Sequence, residues 1–204
     1  MLDKNTPSRL LETIKLLDGK PQNFNLHWNR MLRSVSELYG TIPDFSQKDV
    51  VALIPSGLYG VYKFRLIYTQ KIICSEYEPY SMKIPKSWKL VEVDEFDYHL
   101  KYQDRHFINQ MRKTYEMEAD DIIFVKNGLL TDASYSNIVF SDGADYWTPA
   151  TPMLLGTQRE FLIKAGIIKE RTISHKDLRH FSHFKLINAM LSFEFPWVDI
   201  SAIH

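Results

Sequence analysis

DIIFVKNGLLTDASYSNIVFSDGADYWTP, Asp121–Pro149, is the stretch whose reading decides the fold. Short apolar runs are broken by Asn127-Gly128 and Asp142-Gly143, dipeptides that accept the positive φ angles of a tight hairpin turn. The segment therefore reads as a succession of short strands. Helical spacing appears on both sides of it. In DRHFINQMRKTYE, Phe107, Ile108, Met111 and Tyr115 fall on one helical stripe, and GTQREFLIKAG is a short helix with glycine at each end. Further on, SHKDLRHF opens with a capping-box pattern, Ser174 to Asp177, and HFKLINAMLSF is apolar enough for a buried strand.

The first half of the chain mixes the same elements. LLETIKLLDGKPQNF places an Asp-Gly turn signal between two runs that read as strands, although Leu10, Leu11, Ile14 and Leu17 equally suit a helix. NLHWNRMLRSVSELYG is a helix, with Asn25 as its cap, Met31, Val35 and Leu38 on one face, and Gly40 at its end. In VYKFRLIYT, Tyr62, Phe64, Leu66 and Tyr68 point one way and the cations Lys63 and Arg65 the other. That second face either meets solvent or holds an anion. QKIICSEYE reads as the hairpin partner. YSMKIPKSWKLVEVDEFDY, with its prolines and no sustained period, reads as a connector between two subdomains, residues 1–97 and 98–204. Helices and strands in mixed order predict an α/β or α+β fold, not a bundle or a sandwich.

Composition narrows the function classes. At 204 residues the chain can build one large domain or two small ones. Its 25 basic and 25 acidic residues cancel, so no global field recruits nucleic acid or an anionic membrane. No apolar run is long enough to span a bilayer, and the LDKNTPSR that follows Met1 lacks the apolar core of a secretory leader. The single cysteine, Cys74, excludes an internal disulfide framework and fits a reducing cytoplasm; it is expected to be a small buried apolar residue. His180 and His183 have no third ligand motif near them, so no metal is expected.

Five motifs occur in order: His27-x-x-Arg30, Lys101-x-x-Asp104-Arg105, Gly128-x-x-Thr131-Asp132-x-Ser134-x-x-Asn137, Thr151-Pro152 followed by Leu154-Leu155-Gly156-Thr157-x-Arg159, and Ile187-Asn188-Ala189-Met190. Together they resemble the class IV aminotransferase family, pyridoxal-phosphate enzymes of fold type IV. That group includes branched-chain and D-amino acid aminotransferases and 4-amino-4-deoxychorismate lyase. The resemblance implies a two-subdomain fold with a shortened N-terminal subdomain, pyridoxal 5'-phosphate in the cleft, and a homodimer. It implies Lys101 as the amine that forms the Schiff base and then moves the proton. Asp132 is implied as the anion facing the pyridine nitrogen, where the family usually has glutamate. Arg30 and the amides of Thr157 and Gln158, after Gly156, would hold the phosphate, since a guanidinium and a helix N-terminus both suit an anion. Ser136 and Asn137 would line and orient the cofactor, and Arg159 would be a surface or ion-pair residue. Lys63, Arg65 and Asn188 are candidates for substrate contact. The implied reaction moves an amino group between an amino acid and a 2-oxo acid. The alternatives are cleavage of 4-amino-4-deoxychorismate to 4-aminobenzoate and pyruvate, and a binding protein that has lost catalysis.

Overall fold

The computed structural model describes residues 8–82 and 84–204. The chain divides into two compact units, one formed by the residues up to Met82 together with Leu100–Asp104, the other by the segment ending at His99 together with Arg105–His204.

In the first unit, β1 (Leu10–Leu17) turns at Asp18-Gly19, both at positive φ, into the short β2 (Lys20–Pro21). Two consecutive left-handed residues match the twist of the flanking strands, which is why this Asp-Gly closes a hairpin. The helix α1 (Phe24–Tyr39) follows, then the short α2 (Gln47–Ala52), whose first turn is closed by a reciprocal Ser46–Asp49 capping box. β3 (Val61–Tyr68) pairs antiparallel with β1 and with β4 (Ile72–Pro79), giving the strand order β2-β1-β3-β4. Leu10, Ile14 and Leu16 of β1, Phe64, Leu66 and Tyr68 of β3, and Met31 and Val35 of α1 form its core. Leu100–Asp104 belongs here because Leu11 N donates to Lys101 O at 2.8 Å and Gln103 N donates to Arg9 O at 2.8 Å. The sequence-based boundary at 97/98 had grouped this segment with the C-terminal half.

The second unit holds two sheets. β5 (Trp88–Glu92), β6 (Asp121–Lys126) and β7 (Leu129–Ala133) form one of them, with β5 parallel to β6. The other contains β8 (Asn137–Ser141), β9 (Tyr146–Pro149), β10 (Lys169–Arg171), β11 (His183–Ile187) and β12 (Val198–Asp199), in the order β10-β9-β8-β11-β12. Two helices complete the unit, α3 (His106–Thr114) and α4 (Thr157–Lys164). Asn127-Gly128, again both at positive φ, closes the β6–β7 hairpin. This is the mixed α/β architecture that the order of helical and strand patterns predicts.

Three local expectations are corrected. The cap of α1 is Asn23, in the left-handed region and with no capping hydrogen bond from its side chain, so Asn25 lies inside the helix. The presumed connector contains β5, a short strand in which only Trp88 and Val91 are buried; that spacing is not an alternation, so no period marks it. Cys74 is exposed on β4 rather than buried, because β4 contributes little to the core.

Candidate active site

The first unit gathers charge inside its core. Along β1, residues 10, 12, 14 and 16 share the inward face, and the second of them is Glu12, fully buried. Across from it, His27, Arg30, Met31, Ser34 and Val35 form the buried stripe of α1 at helical spacing. Arg30 donates from Nε to Glu12 Oε2 at 3.1 Å and from Nη2 to Glu12 Oε1. His27 Nδ1 lies 2.8 Å from the same Oε1. Burial alone would raise the Glu12 carboxyl, but the Arg30 guanidinium and His27 beside it hold it well below the usual range. An ionised carboxylate only accepts, so His27 carries its hydrogen on Nδ1. Burial keeps that imidazole neutral, lowering its pKa against the pull of Glu12, and the Arg30 and Lys101 charges lower it further. Lys101, half-buried, is thus held in this unit by its backbone and electrostatically coupled to His27.

Lys63 and Arg65, also in this unit, pair across the sheet with Glu78 and Glu76 of β4, the latter at 2.6 Å. Each cation therefore already has a carboxylate partner at its strand neighbour.

The second unit builds its polar cluster around Asp132 on β7. Oδ1 accepts from Asn137 Nδ2 at 2.6 Å and Oδ2 from the Leu154 amide at 2.8 Å; Asn137 Nδ2 also donates to Leu154 O at 2.9 Å. Both donors are neutral. Burial accordingly dominates and pushes the Asp132 carboxyl up to about 6, despite these hydrogen bonds and the more remote Arg159 charge. Ser136 follows in the turn between β7 and β8, where Ala133 N donates to Ser136 O; the Ser136 hydroxyl is buried with no hydrogen-bond partner among the described residues. Arg105 steadies the turn by donating to Ser134 O. Gly156 precedes α4, and a Cβ there would lie 2.0 Å from Asn137 Oδ1, so only glycine lets the chain pass this close. Thr157 and Gln158 are buried in the first turn of α4, where backbone amides and the helix dipole favour an anion.

Two remaining candidates have structural partners. Asn188 donates to Tyr135 O at 3.3 Å and accepts from the Met190 and Leu191 amides, folding the turn after β11. Arg159 is an ion-pair residue, bonded to Glu170 and to Pro149 O, but it is buried rather than on the surface.

Arg30 and Lys101 thus lie in one unit, and Asp132, Ser136, Asn137, Gly156, Thr157 and Gln158 form the cluster of the other. Sequence reasoning missed Glu12 and the Leu154 amide. Glu12 was legible: once LLETIKLL is a strand, it is the lone charge among inward leucines and an isoleucine. A backbone amide leaves no such signal. The donor set fits a cofactor with a phosphate and a protonated ring nitrogen. A buried carboxylate with no cation among its hydrogen-bond partners, an orphaned hydroxyl, and a glycine-lined approach to a helix N-terminus are the features such a group requires.

The chain matches the family model for class IV amino-transferases over residues 9–203. A Haemophilus influenzae protein described only as uncharacterized is 39% identical over 184 residues, which is 89% of this chain and 97% of that one. Among solved structures, a protein from Haemophilus somnus provisionally described as a 4-amino-4-deoxychorismate lyase is 30% identical. It superposes with a TM-score of 0.83 over 92% of this chain and 99% of its own. A fold IV transaminase from Curtobacterium pusillum is 21% identical, with a TM-score of 0.76 over 92% of this chain and 77% of its own. The two Haemophilus relatives are matched over nearly their whole lengths, so the shortening expected of the N-terminal subdomain is not a departure from them.

Proposed function

Since this chain belongs to the class IV aminotransferase family, we propose that it is a pyridoxal-phosphate-dependent enzyme that moves an amino group between an amino acid and a 2-oxo acid. Asp132 carries this reading: a fully buried carboxylate, oriented by two neutral donors and raised to about 6, is suited to face a protonated ring nitrogen. When bound, the cofactor supplies the electron sink for charge developing at the substrate Cα. Lys101 provides the amine that anchors the cofactor and afterwards takes and returns the Cα proton. Asp132 keeps the ring nitrogen protonated. Arg30, with the amides of Thr157 and Gln158, holds the phosphate. Asn137 fixes the Asp132 carboxylate, and Ser136 supplies a hydroxyl toward the cofactor. Arg65, Lys63 and Asn188 are assigned to the substrate side, and the working protein is a homodimer.

One observation favours a second reading, lyase cleavage of a 4-amino-4-deoxychorismate-like substrate: the 30% identity to the Haemophilus somnus chain so described, where the Curtobacterium transaminase shares the fold alone. Both readings use the same lysine and ring, and differ in the bond broken after Cα deprotonation. Reconstitution with pyridoxal phosphate, borohydride reduction and peptide mapping tests the shared part; label on Lys101 is expected, and label elsewhere or none removes the assignment. Amino transfer to 2-oxoglutarate is then assayed beside pyruvate release from aminodeoxychorismate. Pyruvate release without transfer replaces the first reading by the second.

A further inference from the structure

Glu12 lies on the core-facing side of a strand whose other inward residues, Leu10, Ile14 and Leu16, are fully buried and apolar. A lone carboxylate in such a place would take up a proton rather than stay charged. Arg30 poses the mirror problem, because a buried guanidinium cannot shed its charge and must have an anion. The functional reading gives Arg30 the cofactor phosphate. The same chain must also fold when no phosphate is bound, and in that state the anion comes from within. Glu12 takes the Nε and Nη2 hydrogens of Arg30 and, on the same oxygen, the Nδ1 hydrogen of His27.

We infer that Glu12 is the internal counter-anion of the phosphate subsite, a positioning residue that keeps Arg30 buried and aimed while no phosphate-bearing ligand is present. This inference rests on the assignment of Arg30 to the phosphate. With His27 neutral, the Glu12 and Arg30 charges cancel, so Arg30 offers a dianion directed N–H groups rather than an uncompensated charge. Removing the charge of Glu12 transfers the need for an anion to the ligand. The ligand-free fold then weakens, and phosphate returns more stability to the variant than it gives the unaltered chain, because a ligand bound only by the folded state stabilises it through occupancy.

The test is thermal melting of the cofactor-free protein, of Glu12→Gln, and of the double variant Glu12→Gln with Arg30→Gln, in chloride and in saturating inorganic phosphate at matched ionic strength. In chloride, Glu12→Gln is expected to melt on the order of 10 °C below the unaltered chain, and phosphate is expected to close most of that gap. The double variant removes the buried cation that Glu12 balances, so it should melt above Glu12→Gln in chloride and gain nothing specific from phosphate. A gap that phosphate leaves unchanged overturns the inference, as does a Glu12→Gln chain that folds in neither buffer. If the double variant gains as much from phosphate as the unaltered chain does, Arg30 is not the phosphate contact and the functional assignment falls with the inference. If the unaltered chain gains from phosphate while Glu12→Gln and the double variant do not, the inference alone falls.

Discussion

Asp132 is one methylene shorter than the glutamate usual at its position in the family, and its neighbours show how a short carboxylate is held. Asn137 and the Leu154 amide each occupy one oxygen, so its orientation does not rely on a long side chain. Gly156 in turn leaves room for Asn137, since a Cβ there would overlap the Asn137 carboxamide oxygen. Gly156→Ala is therefore expected to displace Asn137 and destabilise the chain by about 1–3 kcal/mol, the usual cost of overpacking. Urea unfolding checks this; an unchanged midpoint would mean that Asn137 relocates without loss. Asp132→Asn keeps the shape but removes the charge proposed to hold a ring proton. It is expected to lower kcat by about 100-fold or more, as losing a preorganised electrostatic partner does, while bound-cofactor absorbance persists. An unaltered kcat would take Asp132 out of the reaction.

At the scale of elements, what is legible depends on whether the buried residues keep a period. The strand Val61–Tyr68 shows its alternation through Phe64, Arg65 and Leu66, where one face is in the core and the other carries cations, and the helix Phe24–Tyr39 shows its stripe for the same reason. Trp88–Glu92 resembles a connector because its buried residues, Trp88 and Val91, do not alternate, and its lysine and glutamate imitate a loop. In Leu10–Leu17, strand and helix periods coincide over the leucines, and that ambiguity hid Glu12. The motif residues are legible by type and order as a resemblance, whereas the packing of the segment carrying Lys101 is not. Its partner is β1, far away in sequence, through hydrogen bonds that no local pattern encodes. The cations of β3 show the limit of face arguments: alternation gave their direction, while their partners sit on β4. Breaking the half-exposed Arg65–Glu76 pair costs about 1 kcal/mol or less. Arg65→Met is thus expected to shift Tm by under about 4 °C, yet to raise the KM of a carboxylate substrate about tenfold if the proposed contact exists. An unchanged KM would leave Arg65 as a sheet-surface residue.

At the scale of the whole molecule, the two units carry buried titratable groups whose shifts run in opposite directions. In the first unit, His27 is held below its ordinary value of 6.5 by burial, with Arg30 and Lys101 adding to it against Glu12. The unfolded chain then binds more protons than the folded one as pH falls through 6.5, so the stability that the neutral imidazole supports is lost on acidification. In the second unit, Asp132 is raised from 3.8 to about 6 by burial. Here the folded chain binds more protons between those two values, so acidification relieves a cost that approaches about 3 kcal/mol at neutral pH. Glu12, held low, adds its own loss to the first unit only when pH falls toward 4.5 and below. Between pH 7.5 and 5.5 the two units should therefore respond in opposite senses. Amide hydrogen exchange of the cofactor-free protein, corrected for the intrinsic pH dependence of exchange, is expected to show protection falling in peptides from β1 and α1 and rising in peptides from β7 and β8. Asp132→Asn should reduce the rise to what the buried Asp121 carboxyl, raised in the same direction, still contributes, and leave the fall. Parallel loss of protection in both units would mean that burial does not raise the Asp132 carboxyl in the folded chain, and its assignment to a protonated ring nitrogen would rest on its charge and geometry alone.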